Sequence, residues 1–280
     1  MTTLGKNITA VAVDGKFDDC QAMVKQAFSD PELKLLNLSS ANSINFGRLL
    51  PQIVYYFYAY SKLVNKEEKG EEVIFAVPSG NFGNLMAGLI AKKMGLPVYK
   101  FIAATNENDE FPKFLETEKY IPVQPSRACI SSAMNVGHPS NLARIFDLYN
   151  GQMNEKGEIN KMPNIDVMRK DIFSISISDN ETRATIKNLY DKNKIILEPH
   201  GAVSWTGLEK FQKQEVTTKS PILSVSLETA HPAKFPEELQ TILQINPELP
   251  KSMLDLADKK EVFKKIPADY KNFKKFLSNI

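Results

Sequence analysis

Residues 71–95 read "EEVIFAVPSGNFGNLMAGLIAKKMG", and the period of the sequence changes halfway through them. Val73 to Val77 is a compact apolar run with β-branched and aromatic members, the pattern of a buried strand. From Leu85 the apolar positions fall at helical spacing, at Leu85, Leu89 and Met94 with Met86 and Ile90 beside them. The joint between the two is Ser79-Gly80-Asn81-Phe82-Gly83-Asn84. A helix N-terminus offers about four unpaired N–H groups and roughly half a positive charge. Glycine lets the chain turn tightly and lets an anion approach the backbone. Phosphate suits such a joint. The glycines at 80, 83 and 88 do not make G-x-G-x-x-G, and no Gly-Lys-Ser/Thr ending follows. Two readings stay open: a phosphate cup without a nucleotide signature, or a glycine-rich turn capped by Asn81 and Asn84.

Outward from the joint, strands and helices alternate. "NITAVAVDG" reads as a strand, and "FDDCQAMVKQAF" as a helix with acids in its first turn. "LKLLNL" reads as a short strand. "FGRLLPQIVYYFYAYSKLV" reads as a helix apolar around most of its circumference, buried on more than one side, with Pro51 in its first turn. "PVYKFIAAT" is the next strand. Residues 106–165 are irregular, apart from a short helix carrying Leu142, Ile145, Phe146 and Tyr149 on one face. Then come the strand "DIFSISISD", the helix "NETRATIKNLYDKNK", a short strand "IILEP", a helix after His200 and the strand "PILSVSLETAHP". The Lys-rich tail from Pro247 reads as an amphipathic surface helix. This alternation predicts an α/β fold, a mostly parallel sheet with helices on both faces. Ligands in such sheets bind beyond the C-terminal ends of the strands, where the joint at 79–84 lies.

Composition narrows the function. With 35 basic against 33 acidic residues among 280, the charge gives no case for a nucleic-acid surface. No apolar run is long enough to span a bilayer, and the opening residues lack a signal-peptide core, so no membrane partner is expected. Only two cysteines, Cys20 and Cys129, are present, which makes a reducing cytoplasm the expected setting. His200 and His231 are read at strand-to-loop joints near a cleft and His138 in a loop. None has a metal-ligand spacing, so no metal is expected, and a structural hydrogen bond is the expected role of His200 and His231.

Six blocks occur together and in order: "DGKFDDCQAMVKQAF", "NSINFGRLLPQIVYYF", "VPSGNFGNLMAGLIAKKMGLPVYKFIAATNENDEFPKFL", "SAMNVGHPSNLARIF", "EPHGAVSW" and "ETAHPAKF". They resemble threonine synthases, pyridoxal-phosphate enzymes of fold type II, over nearly the whole chain. The resemblance implies a tryptophan-synthase-β-like large domain over 42–280, preceded by the end of the small domain at 1–41, with the changeover near Ser40 to Asn45. It implies a carbon-oxygen lyase that converts O-phospho-L-homoserine and water to L-threonine and phosphate. By the same resemblance Gly80, Asn81, Phe82, Gly83 and Asn84 cradle the cofactor phosphate, and the Thr229 hydroxyl meets the pyridine nitrogen. Asn42, Ser43, Asn45 and Arg48 fall on the substrate side, where a guanidinium at a helix start suits a second phosphate. Read alone, Asn42 and Asn45 are helix caps, Arg48 is a surface cation and Thr229 a strand-end cap. Many relatives read Asp where this chain has Asn135.

The resemblance breaks at one place. Threonine synthases hold their cofactor through a Schiff-base lysine in a motif like "PTLAFKD", and no lysine here stands in a matching context. Lys16 in "DGKFDD" and Lys234 in "HPAKF" belong to other motifs. The expectation is a chain that corresponds to the C-terminal two-thirds of the enzyme, inactive alone and prone to self-association through an exposed cleft. The competing expectation is a non-catalytic module that uses the same cup for a phosphate metabolite or a partner chain.

Overall fold

The structure, a computed structural model, describes residues 2–3, 7–65, 70–215, 222–254, 256 and 258–279. The chain opens with β1 (Ala10–Asp14), α1 (Phe17–Ser29) and α2 (Leu50–Leu63). The joint region follows as β2 (Val73–Pro78), α3 (Gly83–Lys93) and β3 (Val98–Thr105). Next are α4 (Glu110–Thr117), α5 (Leu142–Leu148), β4 (Gln152–Met153), β5 (Ile159–Lys161), α6 (Ile165–Asp171) and β6 (Ile172–Ser176). The rest comprises α7 (Asp179–Asn193), α8 (Pro199–Glu215), β7 (Ser224–Ser226), α9 (Pro236–Leu243), α10 (Lys251–Leu254), β8 (Phe263–Pro267) and α11 (Tyr270–Leu277). Two compact units are formed, residues 1–40 with 248–280, and residues 41–247.

The larger unit is built on a four-stranded parallel sheet in the order β6-β3-β2-β7. Every residue of β2 is buried, because side chains alternate across the strand and both faces are covered. On one face Phe75 and Phe101 pack with Tyr56 of α2 and Leu85 and Leu89 of α3. On the other, Ile74, Ala76 and Ile102 meet Leu208 and Phe211 of α8. Each large side chain so buried stabilises the fold by about 1.5 to 3 kcal/mol. Gly88 lets α3 approach: a Cβ there would stand 2.7 Å from both the Phe101 and the Tyr56 rings. The fold is therefore α/β with helices on both faces of a parallel sheet.

The smaller unit pairs β1 with β8 in parallel, Val11 opposite Lys264 and Val13 opposite Ile266. Asp30 ties α11 to the end of α1, accepting from Tyr270 at 2.6 Å and pairing with Lys274 at 2.8 Å. The sequence predicts a large domain running to residue 280 and a tail of one surface helix. Residues 248–280 instead cluster with 1–40 and contribute a strand.

Three other segments differ from the sequence reading. "LKLLNL" belongs to a 3-10 helix over Pro31–Leu36, started by the Asp30 side chain accepting from Glu32 N–H and stopped by left-handed Asn37; Leu35 is 93% exposed. "IILEP" forms no strand; its Glu198 carboxylate accepts the N–H groups of His200 and Gly201 and turns the chain into α8. Pro51 lies in the first turn of α2 as expected, but only Ile53 and Tyr56 of that helix are buried, leaving Leu50, Val54 and Tyr58 exposed. Pro221, where the last strand was read to begin, lies outside the described residues.

Candidate functional site

The strand order sets the place of the site. From β2 the chain moves to β3 and β6 on one side, and β7 lies on the other side of β2. The direction of winding therefore reverses between β2 and β7, and the crevice beyond their C-terminal ends is where open α/β sheets take ligands. Both expected cofactor segments are there. Ala76 of β2 is opposite Ser226 of β7, so three residues further along each chain Ser79, which leads into Gly80, and Thr229 leave the sheet at the same level. Thr229 is exposed.

The joint departs from β2 after Ser79 donates its N–H to the Ala104 carbonyl at 2.8 Å. Gly80 is packed on the 3-10 turn Ser132–Met134, where a Cβ would come within 2.7 Å of the Met134 Cα. Phe82 turns the chain with φ 59°, and its buried ring lies edge-on to Phe111, centroids 4.8 Å apart. The left-handed residue is thus Phe82 and not a glycine. Gly83 is required for space: its Cβ would meet Ser43 Cβ at 2.9 Å. Among the described residues no protein acceptor meets the N–H groups of Gly80, Asn81, Phe82, Gly83 or Asn84. Five donors at the start of an eleven-residue helix are left for an acceptor other than protein.

Neither asparagine caps α3. Asn84 Oδ1 accepts from Tyr55 and Tyr56 hydroxyls at 2.5 and 2.6 Å, bonds that tie the joint to α2. Asn81 Oδ1 accepts from Ser140 N–H at 2.6 Å and Ser140 Oγ at 2.9 Å, and its Nδ2 donates to Ser43 Oγ at 3.1 Å. Asn141 Nδ2 donates to the Asn81 carbonyl and to Ser43 Oγ, both at 2.9 Å. Arg144 donates to the carbonyls of Ser43 and Ile44. Of the four expected substrate-side residues, Ser43 is therefore bound to the joint. Asn45 accepts from Gly47 N–H and caps the 3-10 turn Phe46–Arg48, while Asn42 and Arg48 are exposed. Ser140, Asn141, Arg144 and the two tyrosines were not singled out from the sequence. The block "SAMNVGHPSNLARIF" contains three of them, but as polar residues leading into and along a short helix they carry no chemical signature.

The histidines take structural positions. His200 lies in the first turn of α8, with Nδ1 at 2.5 Å from Glu198 Oε2, and its Nε2 accepts the Ala133 N–H at 3.1 Å. That geometry fixes the proton on Nδ1 and holds the 3-10 turn against which Gly80 rests. Burial works against the Glu198 charge, but the His200 ring and the two N–H groups overcome it and hold the carboxyl below its ordinary value. His231 caps the turn Pro232–Lys234 by accepting from Ala233 N–H, and His138 bonds Tyr120 and the Glu155 carbonyl. Glu228, beside Thr229, is exposed as a residue, but its carboxyl end turns in against Gly201 so closely that a Cβ there would collide. Burial and then the Glu198 charge raise that carboxyl to about 7.

Comparison with known proteins gives the family. The family described as threonine synthase, C-terminal, matches residues 202–277. The threonine synthase of Escherichia coli strain K12 is 40% identical over 279 residues, covering 99% of this chain and 60% of its own length. That of Buchnera aphidicola subsp. Schizaphis graminum is 40% identical over 276 residues, covering 98% and 59%. The crystal structure of the Escherichia coli threonine synthase superposes with a TM-score of 0.84, covering 99% of this chain and 60% of that one. A PLP-bound threonine synthase from Brucella melitensis gives 0.83 at 32% identity, covering 100% and 61%. The chain thus spans about three-fifths of the length of these relatives. The family described as pyridoxal-phosphate dependent enzyme matches residues 1–227, and the chain belongs to it.

Proposed function

We propose that these residues form the cofactor-phosphate and pyridine-nitrogen sides of a threonine synthase site, for conversion of O-phospho-L-homoserine and water to L-threonine and phosphate. The observation that carries this reading is the set of five N–H groups at 80–84 that no acceptor meets among the described residues, placed at the reversal of strand order. A doubly charged phosphate ester fits such donors, and the relatives named threonine synthase supply the reaction. The kinship with enzymes favours catalysis over a non-catalytic binding module.

Pyridoxal phosphate, when bound, supplies an electron sink for carbanion chemistry at the substrate. The residues of this chain do the rest on their side of the cleft. Gly80 to Asn84 anchor the phosphate through backbone N–H groups. Thr229 presents a hydroxyl, which can hydrogen-bond the ring nitrogen without keeping it protonated. Ser43, with Asn42, Asn45 and Arg48 on the same segment, faces the substrate, and the exposed Arg48 guanidinium is suited to the substrate phosphate.

The amine that holds the cofactor aldehyde is not among the lysines of these residues. Among the described residues the joint is bonded to or packed on Ser43, Leu49, Tyr55, Tyr56, Phe111, Met134, Ser140 and Asn141, and on no lysine. Self-association through the exposed cleft belongs to the same proposal, and Leu50, Val54 and Tyr58 of α2 add exposed apolar surface. A cytoplasmic setting is part of the same proposal and rests on the free thiols Cys20 and Cys129.

The test is to add pyridoxal phosphate, reduce with borohydride and map labelled lysines, while assaying phosphate release from O-phospho-L-homoserine. Reversible cofactor binding without one labelled lysine, and activity only when a lysine-bearing segment is supplied in trans, is expected. A single specifically labelled lysine together with phosphate release from this chain alone would overturn the missing-amine assignment. No cofactor binding and no activity in either setting would overturn the whole reading.

A further inference from the structure

Ser43 and Ile44 stand 101 and 100 positions before Arg144, yet the guanidinium forks between their carbonyl oxygens, at 2.7 Å from Nη1 and 2.5 Å from Nη2. The same Nη1 donates to Asn141 Oδ1 at 2.5 Å. Asn141 in turn bonds both the Ser43 hydroxyl and the Asn81 carbonyl. Asn81 closes the circuit by donating to the Ser43 hydroxyl, and Ser140 holds the other end of its amide. Six residues from three separate parts of the chain are thereby cross-linked at the mouth of the joint.

Fold stability does not explain why a cation sits there. Burial disfavours the Arg144 charge, and among the described residues no carboxylate forms an ion pair with it. A half-buried guanidinium spent on carbonyls carries a desolvation cost that an apolar residue of similar volume would avoid. What arginine offers is a rigid planar fork that fixes two adjacent peptide units at once. Its charge also adds a positive field behind Ser43.

We infer that Arg144 is a positioning residue that makes the Ser43–Ile44 turn and the Asn81 end of the phosphate cup one body, so that an anion seated at 80–84 also orders residues 42–48. This rests on the cup reading proposed above. Loading the cup would then prepare the substrate-side segment, and the two phosphates would bind cooperatively without touching.

Amide hydrogen exchange on the protein, with pyridoxal phosphate as the added probe, separates this inference from the reading beneath it. In the wild type the probe should slow exchange at 80–84 and at 42–48, each by roughly tenfold. In Arg144→Met the slowing at 42–48 should vanish while that at 80–84 persists. Arg144→Lys, which can still reach one carbonyl, should recover part of it, and it serves in place of the methionine variant should that fail to fold. Without probe, the substitution should speed exchange at 43–45 and at 81 by roughly tenfold and leave β3 and α7 unchanged. Probe-induced slowing at 42–48 that survives in the variants, or equal acceleration throughout 41–247, would overturn the inference. If the probe leaves 80–84 untouched in the wild type, the cup reading fails, and the probe-free comparison alone decides the role of Arg144.

Discussion

Ser43 stands against Gly83 so closely that a Cβ on the glycine would lie 2.9 Å from the Ser43 Cβ and 3.3 Å from its hydroxyl oxygen. The reason for glycine at 83 is therefore the neighbouring segment and not an anion entering that volume. Gly83 φ lies outside the left-handed region, which Phe82 occupies instead. Gly83→Ala should push Ser43 away and break its bonds to Asn81 and Asn141, at a cost of about 1 to 3 kcal/mol for overpacking. Chemical denaturation should show that loss. An unchanged midpoint would mean that Ser43 moves without resistance.

Asn135 supports a different loop. Its Oδ1 accepts from Asn106 Nδ2 at 2.9 Å and from Cys129 N–H at 3.2 Å, and its Nδ2 donates to the Cys129 carbonyl at 3.2 Å. Aspartate would put an acceptor against that carbonyl. Asn135→Asp should destabilise the protein by about 1 to 3 kcal/mol at neutral pH, the cost of a donor lost at a half-buried site. Protonation restores a donor, so the deficit should shrink as pH falls toward 4. Thermal melting at the two pH values checks this, and a deficit independent of pH would contradict it.

Glu110 is 1% exposed and its Oε2 has no partner among the described residues. Burial raises its carboxyl to about 8 from an ordinary 4.5, with Asp109 adding to the rise. The folded state therefore holds the proton more tightly than the unfolded chain. Its contribution to stability is fully present below about 4.5, falls as pH rises and reaches its floor above about 8, at a slope of at most roughly 1.4 kcal/mol per pH unit. Glu110→Gln should flatten this part of the stability profile and leave the variant the more stable protein at pH 8. An unaltered slope would show that Glu110 ionises freely.

How far the sequence could be read depended on where each segment's partners lie. Val73 to Val77 was legible because both faces of β2 are covered, which leaves an unbroken apolar run. β8 was not, because "FKKIP" has no buried residue and is a strand only through its pairing with β1. The leucines of Pro31–Leu36 mimicked a strand, although Asp30-Pro31 had already supplied a helical start. The aromatic residues of α2 overstated its burial, since its outer face remains open. At the site, the glycine joint was visible from local pattern and Ser43 from resemblance. Arg144 was invisible, because the carbonyls it fixes are 101 and 100 positions away.

The central claim is that the N–H groups of 80–84 hold the phosphate of pyridoxal phosphate. Amide chemical shifts of those residues, followed by NMR during titration with pyridoxal phosphate and then with pyridoxal, test it directly. The account predicts saturable shifts of Gly80 to Asn84 with the phosphate ester, reversal of those shifts by excess inorganic phosphate, and no comparable response to pyridoxal. Amides of 80–84 that stay still while pyridoxal phosphate binds elsewhere, or that respond equally to pyridoxal, would contradict it.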